Sequence, residues 1–154
     1  MSTVITQEPP NTPEAIQLID ELEAYLTPMY PQESRHGYSV EKLIKQGVIF
    51  FVMRRDGVAV GCGGVQLFGT EYAEVKRMYV RPQFRGLGLA KLMLDKLSAH
   101  TLQQGIDTLR LETGIHQHEA IRLYEGYGFQ RRPPFGEYTN DPLSIYYEKK
   151  ISLD

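Results

Sequence analysis

Residues 83–90, with the sequence QFRGLGLA, combine groups that could bind a phosphate anion. Gly86 and Gly88 would let a bulky ligand approach the backbone, and the first turn of a helix beginning here would offer N–H donors without internal partners. The helix dipole and the Arg85 side chain add positive charge. We therefore predict a diphosphate-binding loop whose donors are the backbone N–H groups of residues 85–90. A tight turn that needs glycine only for steric reasons is the alternative.

Two other phosphate-binding loops do not fit this segment. The dinucleotide pattern G-x-G-x-x-G requires glycine at a position where the chain has Lys91. The nucleotide P-loop ends in Gly-Lys followed by Ser or Thr, and no such triplet follows. The pattern that remains is Q-x-x-G-x-G followed by Ala90.

A run of charged residues lies in the strand-like segment just before this loop. Residues 73–80, AEVKRMYV, carry Glu74, Lys76 and Arg77 among apolar residues. Burying a charge costs several kcal/mol unless it is paired, so three charges in one strand need an explanation. Mutual ion pairing or exposure at the start of the strand would account for Lys76, whereas we predict a functional role for Glu74.

The composition limits the class of protein. A chain of 154 residues can bury its own core, and we treat residues 1–154 as one domain. The net charge of −2 gives no general reason to expect nucleic-acid binding. The single cysteine, Cys62, excludes an internal disulfide, and no segment resembles a signal peptide or a membrane span. We expect a cytoplasmic protein without nucleic-acid or membrane partners.

The hydrophobic patterns predict elements in the order β-α-α-β-β-β-α-β-α-β-β, which is an α/β fold with a mixed sheet and helices on both faces. Thr12 and Ser39 would cap the first two helices, and Asp56-Gly57 predicts a hairpin. The third helix ends near Gln104, and the fourth covers residues 119–125. Its apolar stripe gives the third helix a buried face: Leu89, Leu92, Met93, Leu97 and Leu102. The predicted strands are 4–7, 48–54, 58–68, 73–80, 108–112, 129–131 and 144–151.

Three features, in this order along the chain, resemble the GNAT superfamily of N-acetyltransferases. Met78-Tyr79-Val80 is similar to the apolar strand that precedes that superfamily's coenzyme A loop. The segment 83–90 is similar to its pyrophosphate-binding loop. Residues 119–129, EAIRLYEGYGF, resemble its helix-to-strand signature A-x-x-L-Y-E-x-x-G-F.

The resemblance implies a GNAT acyl-CoA N-acyltransferase fold in which the strands at 73–80 and 108–112 splay apart and admit the pantetheine arm. It implies acetyl-CoA as the acyl donor. Many relatives carry an asparagine three residues before the helix alanine, where this chain has the longer Gln117. The implied cofactor-binding residues are Met78, Tyr79, Val80, Gln83, Arg85, Gly86, Leu87, Gly88, Leu89, Ala90 and Gln117.

The resemblance also implies catalytic roles for Glu74 and Tyr124. Glu74 stands in Ala-Glu-Val six residues before Val80, like the catalytic glutamate of the histone-modifying branch. It would take a proton from the acceptor amine, which is almost wholly protonated at neutral pH. A chain of water molecules is the alternative base. Tyr124 matches the tyrosine that donates a proton to the coenzyme A sulfur in a direct ternary complex, so Cys62 is not needed as an acyl carrier.

The acceptor site is expected on loops that face the thioester in this fold, at Arg35, His36, Glu137 and Tyr138. Arg77, next to the reaction centre, could pair bidentately with an acceptor carboxylate, which favours a small amine that carries a carboxylate. A protein lysine or N-terminal acetyltransferase and a non-catalytic acyl-CoA sensor are the alternatives. A homodimer is left open.

A metal site is not expected. His116 and His118 form an H-x-H pair beside Glu112 and Glu119, but no third ligand can be assigned from the sequence. Two imidazoles two positions apart on a loop are more often polar surface.

Overall fold

The computed structural model describes residues 2–152, and its centre is a seven-stranded mixed sheet. The strands lie side by side in the order β1-β2-β3-β4-β5-β7-β6. The β4–β5 pair is parallel, and the other neighbouring strands are antiparallel. The strands are β1 Thr3–Gln7, β2 Ile49–Arg55, β3 Val58–Phe68, β4 Tyr72–Val80, β5 Thr108–Gly114, β6 Gln130–Arg132 and β7 Ser144–Lys150.

Four α-helices connect these strands in the predicted order. Thr12 accepts a hydrogen bond from the backbone N–H of Ala15 at 3.3 Å, and Ser39 accepts one from Lys42 at 3.2 Å, so both predicted caps are confirmed. Two short 3₁₀ turns lie at Gln32–Ser34 and Pro82–Phe84. The helices are α1 Pro13–Leu26, α2 Val40–Lys45, α3 Leu89–Gln103 and α4 His118–Tyr127.

The predicted hairpin between β2 and β3 is confirmed by its backbone angles. Asp56 has φ 50° and Gly57 has φ 82°, so both central residues adopt the left-handed conformation that a type I′ turn requires.

Helices cover both faces of the sheet. On one face α3 and α4 pack against apolar residues such as Val75 and Leu111, and on the other α1 and α2 pack against residues such as Phe50 and Val52. Both faces of the sheet are therefore buried around β4, and its charged residues lie in the protein interior.

The apolar stripe predicted for α3 is wrong at one position. Leu89, Met93 and Leu97 are buried as predicted, but Leu92 is 44% exposed and Leu94 is fully buried instead. At about 100° of rotation per residue, Leu94 falls beside Met93 and Leu97 on the buried arc, whereas Leu92 falls on the opposite side.

Strands β4 and β5 pair over a short stretch and then separate. Their register includes two pairs, Ala73 with Leu109 and Glu74 with Arg110. Beyond this point the strands diverge, and a cavity lies between them. The splay implied by the resemblance is confirmed.

A β-bulge occurs in β4 at the start of this separation. Lys76 faces Gly64 and Tyr79 faces Cys62, so Arg77 and Met78 together face Gly63 on β3. Arg77 has φ 54°, a left-handed conformation that costs a non-glycine residue about 1–2 kcal/mol. The extra residue turns Met78 towards the core that contains α3.

Within residues 2–152, no helix is both long and apolar enough to span a membrane.

Candidate active site

A cavity of about 260 Å³ lies where β4 ends and α3 begins. The far wall is formed by α4, and Leu22 and Tyr25 of α1 complete the lining. The structure brings most of the predicted cofactor-binding residues together here, but Gln83 and Leu87 lie outside the lining and Leu87 is 53% exposed. The predicted residues in the lining are Met78, Tyr79, Val80, Arg85, Gly86, Gly88, Leu89, Ala90 and Gln117.

The loop that leads into α3 has the geometry of an anion site. Gly86 has φ 80° and Gly88 has φ 76°, and Gly88 occupies the N-cap position of α3. No side chain among residues 2–152 hydrogen-bonds to this helix terminus. The N–H groups of its first turn are therefore available to a ligand in the cavity, and a diphosphate fits that donor set.

Arg85 lies at the edge of this cavity. Its Nε donates to the backbone carbonyl of Val80 at 3.1 Å, and its guanidinium lies 5.5 Å from the centre of the Tyr25 ring. The other contact is to Glu119, whose side chain is 66% exposed, at 3.5 Å. Ion pairs in solvent are weak, so this contact leaves the positive charge of Arg85 available to a phosphate.

A second cavity, of about 90 Å³, lies in the gap between β4 and β5. Residues 74–78 of β4 and 111–114 of β5 form opposite walls, and residues 34–37 and Tyr138 close it. The two cavities share part of their lining, so they meet inside the protein. The shared residues are Leu22, Met78, Gln117 and Tyr124.

Tyr124 lies at this junction. Its ring packs against Phe129 and Tyr147, with centroids 5.6 and 6.2 Å away, and the residue is 6% exposed. Its hydroxyl forms no hydrogen bond with another residue of the described chain. Burial, together with the negative charge of Glu112, raises the pKa of Tyr124. The phenol therefore stays protonated at neutral pH and can donate its proton where the cavities meet.

Gln117 contributes a donor at the same junction. Its side-chain carbonyl accepts from the backbone N–H of Gly114 at 3.0 Å and from the hydroxyl of Thr113 at 3.4 Å. These contacts fix the orientation of the amide. Its NH₂ group is therefore the end that remains available to donate a hydrogen bond to a ligand.

Glu74 lies in the wall of the smaller cavity and belongs to a buried network. Its side chain is 4% exposed, and its Oε2 accepts from the Tyr138 hydroxyl at 2.5 Å and lies 3.0 Å from Lys76 Nζ. Burial lowers the pKa of Lys76, and the negative charge of Glu74 opposes that shift. Burial and Glu74 both raise the pKa of Tyr138. The ion pair considered for Lys76 from the sequence is present, with Glu74 as its partner.

Arg77 also lines the smaller cavity, but its guanidinium already forms hydrogen bonds with other residues of the protein. Nη2 donates to Glu23 at 2.5 Å, and Nε donates to the carbonyl of Tyr38 at 2.9 Å. A Cβ added to Gly37 would lie 2.2 Å from Arg77 Nη1, so glycine is required where the guanidinium crosses the loop. The carboxylate contact predicted for Arg77 would need this ion pair to open, and it stays a prediction.

Arg35 and His36 have nitrogen atoms without hydrogen-bond partners at the smaller cavity. Arg35 Nε and His36 Nε2 are buried, and neither atom forms a hydrogen bond within residues 2–152. Arg35 Nη1 donates to Thr27 at 2.9 Å and lies 3.7 Å from Glu23 Oε2, and His36 Nε2 is 3.5 Å from Asp141. Tyr138 joins them in the lining, whereas Glu137 is exposed and lies outside it.

Sequence reasoning missed two residues of this site. Glu112 lines the smaller cavity from β5, and the rule applied to β4, that charges in a central strand need an explanation, would have found it. Tyr30 gave no such signal, because its role depends on a distant glycine. Its hydroxyl accepts from the backbone N–H of His116 at 3.0 Å and fixes the loop after α1 to the end of β5.

Gly114→Ala should disturb this anchor. The added Cβ would lie 2.0 Å from the Tyr30 hydroxyl oxygen, in a wall where overpacking costs about 1–3 kcal/mol. We expect a lower melting temperature and a distorted wall of the smaller cavity. Gly126→Ala is the matched control, because nothing lies within 4 Å of its Cβ position and alanine favours a helix. Equal melting temperatures for the two variants would contradict the anchoring role of Tyr30.

Cys62 is a buried residue. It is 1% exposed, its Sγ contacts the carbonyl of Arg77 at 3.3 Å, and burial raises the pKa of its thiol to about 12. A thiol that stays protonated is a poor nucleophile. Among the described residues, no group of three or more His, Cys, Asp or Glu side chains is arranged to hold a metal ion.

Comparison with known proteins decides the family. Residues 15–129 match the sequence profile of the acetyltransferase (GNAT) family. The chain belongs to the GNAT family. The protein is therefore an acyltransferase that uses acyl-CoA as its co-substrate, and the larger cavity has the loop and helix terminus that such a ligand needs.

Individual relatives of this GNAT chain cover nearly its whole length. It is 41% identical to the IAA acetyltransferase of Azospirillum brasilense, over 97% of this chain and 99% of the relative. It is 31% identical to the uncharacterized N-acetyltransferase YsnE of Bacillus subtilis, over 90% and 93% of the two chains.

Solved structures agree with the GNAT fold. A Klebsiella pneumoniae protein assigned as an acyl-CoA N-acyltransferase has a TM-score of 0.82 and 40% identity, covering 96% of this chain and 97% of its own. The PaiA N-acetyltransferase of Thermoplasma acidophilum, solved with coenzyme A, has a TM-score of 0.78 and 20% identity, covering 98% and 100%. The latter shares the fold alone.

Proposed function

We propose that this GNAT enzyme transfers an acetyl group from acetyl-CoA to the primary amine of a small molecule that carries a carboxylate. The observation that carries the proposal is the meeting of a larger and a smaller cavity at Tyr124. The small volume of the second cavity, about 90 Å³, favours a metabolite over a protein segment. The name of the Azospirillum relative, IAA acetyltransferase, also supports a small-molecule acceptor.

The proposed reaction is a direct attack in a ternary complex. The amine nitrogen forms a bond to the acetyl carbon, the bond between that carbon and the coenzyme A sulfur breaks, and Tyr124 supplies the proton to the sulfur. The nitrogen then loses a second proton as it becomes an amide, and that proton restores Tyr124. Glu74 takes the proton that the ammonium must lose before it can attack. Backbone N–H groups of residues 78–80, on the strand that has left β5, polarise the thioester carbonyl.

Arg35 is a better candidate than Arg77 for the acceptor carboxylate. The buried Nε of Arg35 has no hydrogen-bond partner within residues 2–152, whereas Nε and Nη2 of Arg77 are both in use. A buried donor without a partner is costly, so a ligand carboxylate at Arg35 would restore a missing hydrogen bond.

Arg35→Lys should therefore raise the KM for a carboxylate-bearing acceptor. Lysine keeps the charge but lacks the Nε donor and the planar fork, and a hydrogen bond to a charged group contributes about 1.5–3 kcal/mol, or roughly 10- to 150-fold. The KM for acetyl-CoA should not change. Steady-state kinetics with an acceptor and with its analogue lacking the carboxylate will check this.

Two outcomes would count against Arg35 as the carboxylate ligand. One is an equal rise in KM for the analogue without a carboxylate. The other is a larger and selective effect in Arg77→Ala at unchanged melting temperature, which would assign the carboxylate to Arg77. The structure leads us to expect instead that Arg77→Ala lowers the melting temperature, because it removes a buried partner of Glu23 and of the Tyr38 carbonyl.

The test of the proposed function is release of free thiol from acetyl-CoA across a panel of amines with and without carboxylates. Turnover with carboxylate-bearing amines is expected. A second arm incubates the enzyme with labelled acetyl-CoA and a cell extract, and separates protein from small molecules. Label found only in protein would contradict a metabolite acceptor and indicate a protein acceptor instead.

A further inference from the structure

Glu112 is a carboxylate without a cationic partner in the wall of the smaller cavity. It lies on β5, opposite the β4 wall that carries Glu74. Its Oε2 accepts a hydrogen bond from the Ser144 hydroxyl at 2.8 Å. Among the ion pairs formed by residues 2–152, Glu112 takes part in none.

The other carboxylates near this cavity differ from Glu112 in this respect. Glu74 is paired with Lys76 at 3.0 Å, and Glu23 is paired with Arg77 at 2.5 Å. Their negative charges are therefore compensated inside the protein. Glu112 has no ion-pair partner among residues 2–152, and only the more distant charges of His36 and Lys76 act on it, although the side chain is partly buried and reaches the cavity.

A buried carboxylate without a cation is unfavourable in its ionised form. Burial raises the pKa of Glu112, and the hydrogen bond from Ser144 opposes this shift only in part. A cation that enters the cavity would stabilise the ionised carboxylate. The proposed acceptor supplies one, because an alkylamine carries a positive charge at neutral pH.

We propose that Glu112 is the residue that receives the ammonium group of the acceptor in the smaller cavity. This rests on the proposed function, since it concerns the same acceptor. The ammonium then lies in the gap between β4 and β5, with Glu74 on the β4 wall to take its proton. Arg35, on the loop side of the cavity, receives the carboxylate. With Glu112 at one part of the cavity and Arg35 at another, the cavity selects an acceptor that carries both an ammonium group and a carboxylate.

The neighbours of Glu112 support a cation site. The paired charges of Glu74 and Lys76 largely offset each other, and Ser144 donates to the carboxylate from β7. The charge that remains nearby is that of His36 when it is protonated. The titratable groups that face Glu112 are Tyr30, His36, Glu74, Lys76, Tyr124, Tyr138 and Tyr146.

The first experiment measures cation binding without turnover. Protein labelled with ¹³C at glutamate carboxyl groups is saturated with free coenzyme A, which has no acyl group to transfer. The Glu112 resonance is assigned by its loss in Glu112→Gln. Its titration is followed with ethylammonium chloride or with sodium chloride at equal ionic strength. We expect ethylammonium alone to move the titration of Glu112 to lower pH, and identical titrations in the two salts would overturn the proposal.

The second experiment uses Ser144→Ala and kinetics. Loss of the Ser144 donor should move the Glu112 titration to higher pH, and the pH below which acceptor binding weakens should rise with it. Glu112→Gln should raise the acceptor KM by roughly tenfold or more and leave the acetyl-CoA KM unchanged. A rise in both KM values would indicate a merely structural role and would contradict the proposal.

These experiments separate the two hypotheses. If no amine is acetylated, the proposed function fails, while the ethylammonium titration still reports whether Glu112 binds a cation. If amines are acetylated but ethylammonium does not change the titration of the Glu112 resonance, the proposed function is retained and the proposed ammonium site is wrong.

Discussion

Gly88→Glu is expected to weaken acyl-CoA binding by about two orders of magnitude or more. A phosphate at a helix N-terminus gains up to ~2 kcal/mol, and a carboxylate placed there would repel it by about 4 kcal/mol at a separation of 4 Å near a protein surface. A Cβ at this position has nothing within 4 Å, so the fold should tolerate the substitution apart from the strain of a positive φ. Isothermal titration calorimetry with acetyl-CoA and with free coenzyme A measures the effect.

Gly57→Glu is the matched control for that variant. Gly57 also has a positive φ, 82°, and its Cβ position also has nothing within 4 Å, but it lies in the β2–β3 hairpin and outside both cavities. Both variants add one negative charge and the same kind of backbone strain, about 1–2 kcal/mol. Only Gly88→Glu should lose affinity for acyl-CoA. Wild-type affinity in Gly88→Glu would show that the loop is a steric turn and no anion site.

Tyr124→Phe is expected to lower kcat by about 100- to 10,000-fold if Tyr124 protonates the leaving thiolate, which is the usual range for a general acid. Both KM values should stay near wild type, because the ring remains in place between the two cavities. The hydroxyl has no hydrogen-bond partner within residues 2–152, so its loss should change the free energy of unfolding by less than about 1 kcal/mol. Steady-state kinetics and thermal unfolding together check both statements.

Tyr147→Phe provides the comparison. Tyr147 belongs to the same aromatic cluster, 6.2 Å from Tyr124, but its hydroxyl donates to Glu125 at 2.7 Å and lies outside both cavities. Its removal should cost stability and leave kcat unchanged. Similar kcat values in both variants would exclude Tyr124 as the proton donor.

The sequence was sufficient for the elements and for the glycine turn before α3 because both depend on local patterns. Helix caps, the Asp56-Gly57 turn and the glycines before α3 each act within a few residues, so their spacing along the chain carries the information. Leu92 shows the limit of this reasoning. An apolar residue at helical spacing is buried only if it also lies on the arc that faces the sheet.

The residues around the smaller cavity were harder to predict, since they depend on contacts between distant segments. Arg77 was expected to meet a substrate carboxylate, but Glu23, fifty-four positions away, occupies its guanidinium. Tyr30 and Gly114 form one wall although neither residue suggests the other in the sequence. Glu112 could have been noticed as a charge in a central strand, but its lack of a cationic partner is visible only in three dimensions.

The bulge at Arg77 has a consequence for how such an enzyme could acquire a new acceptor. The residue that shifts the register of β4 also fastens α1 through Glu23 and the following loop through Tyr38. Replacing it would loosen the strand that we propose aims the thioester, along with the walls of the smaller cavity. Changes of preference should therefore accumulate at side chains with fewer internal contacts, such as Arg35, while Arg77 stays constant.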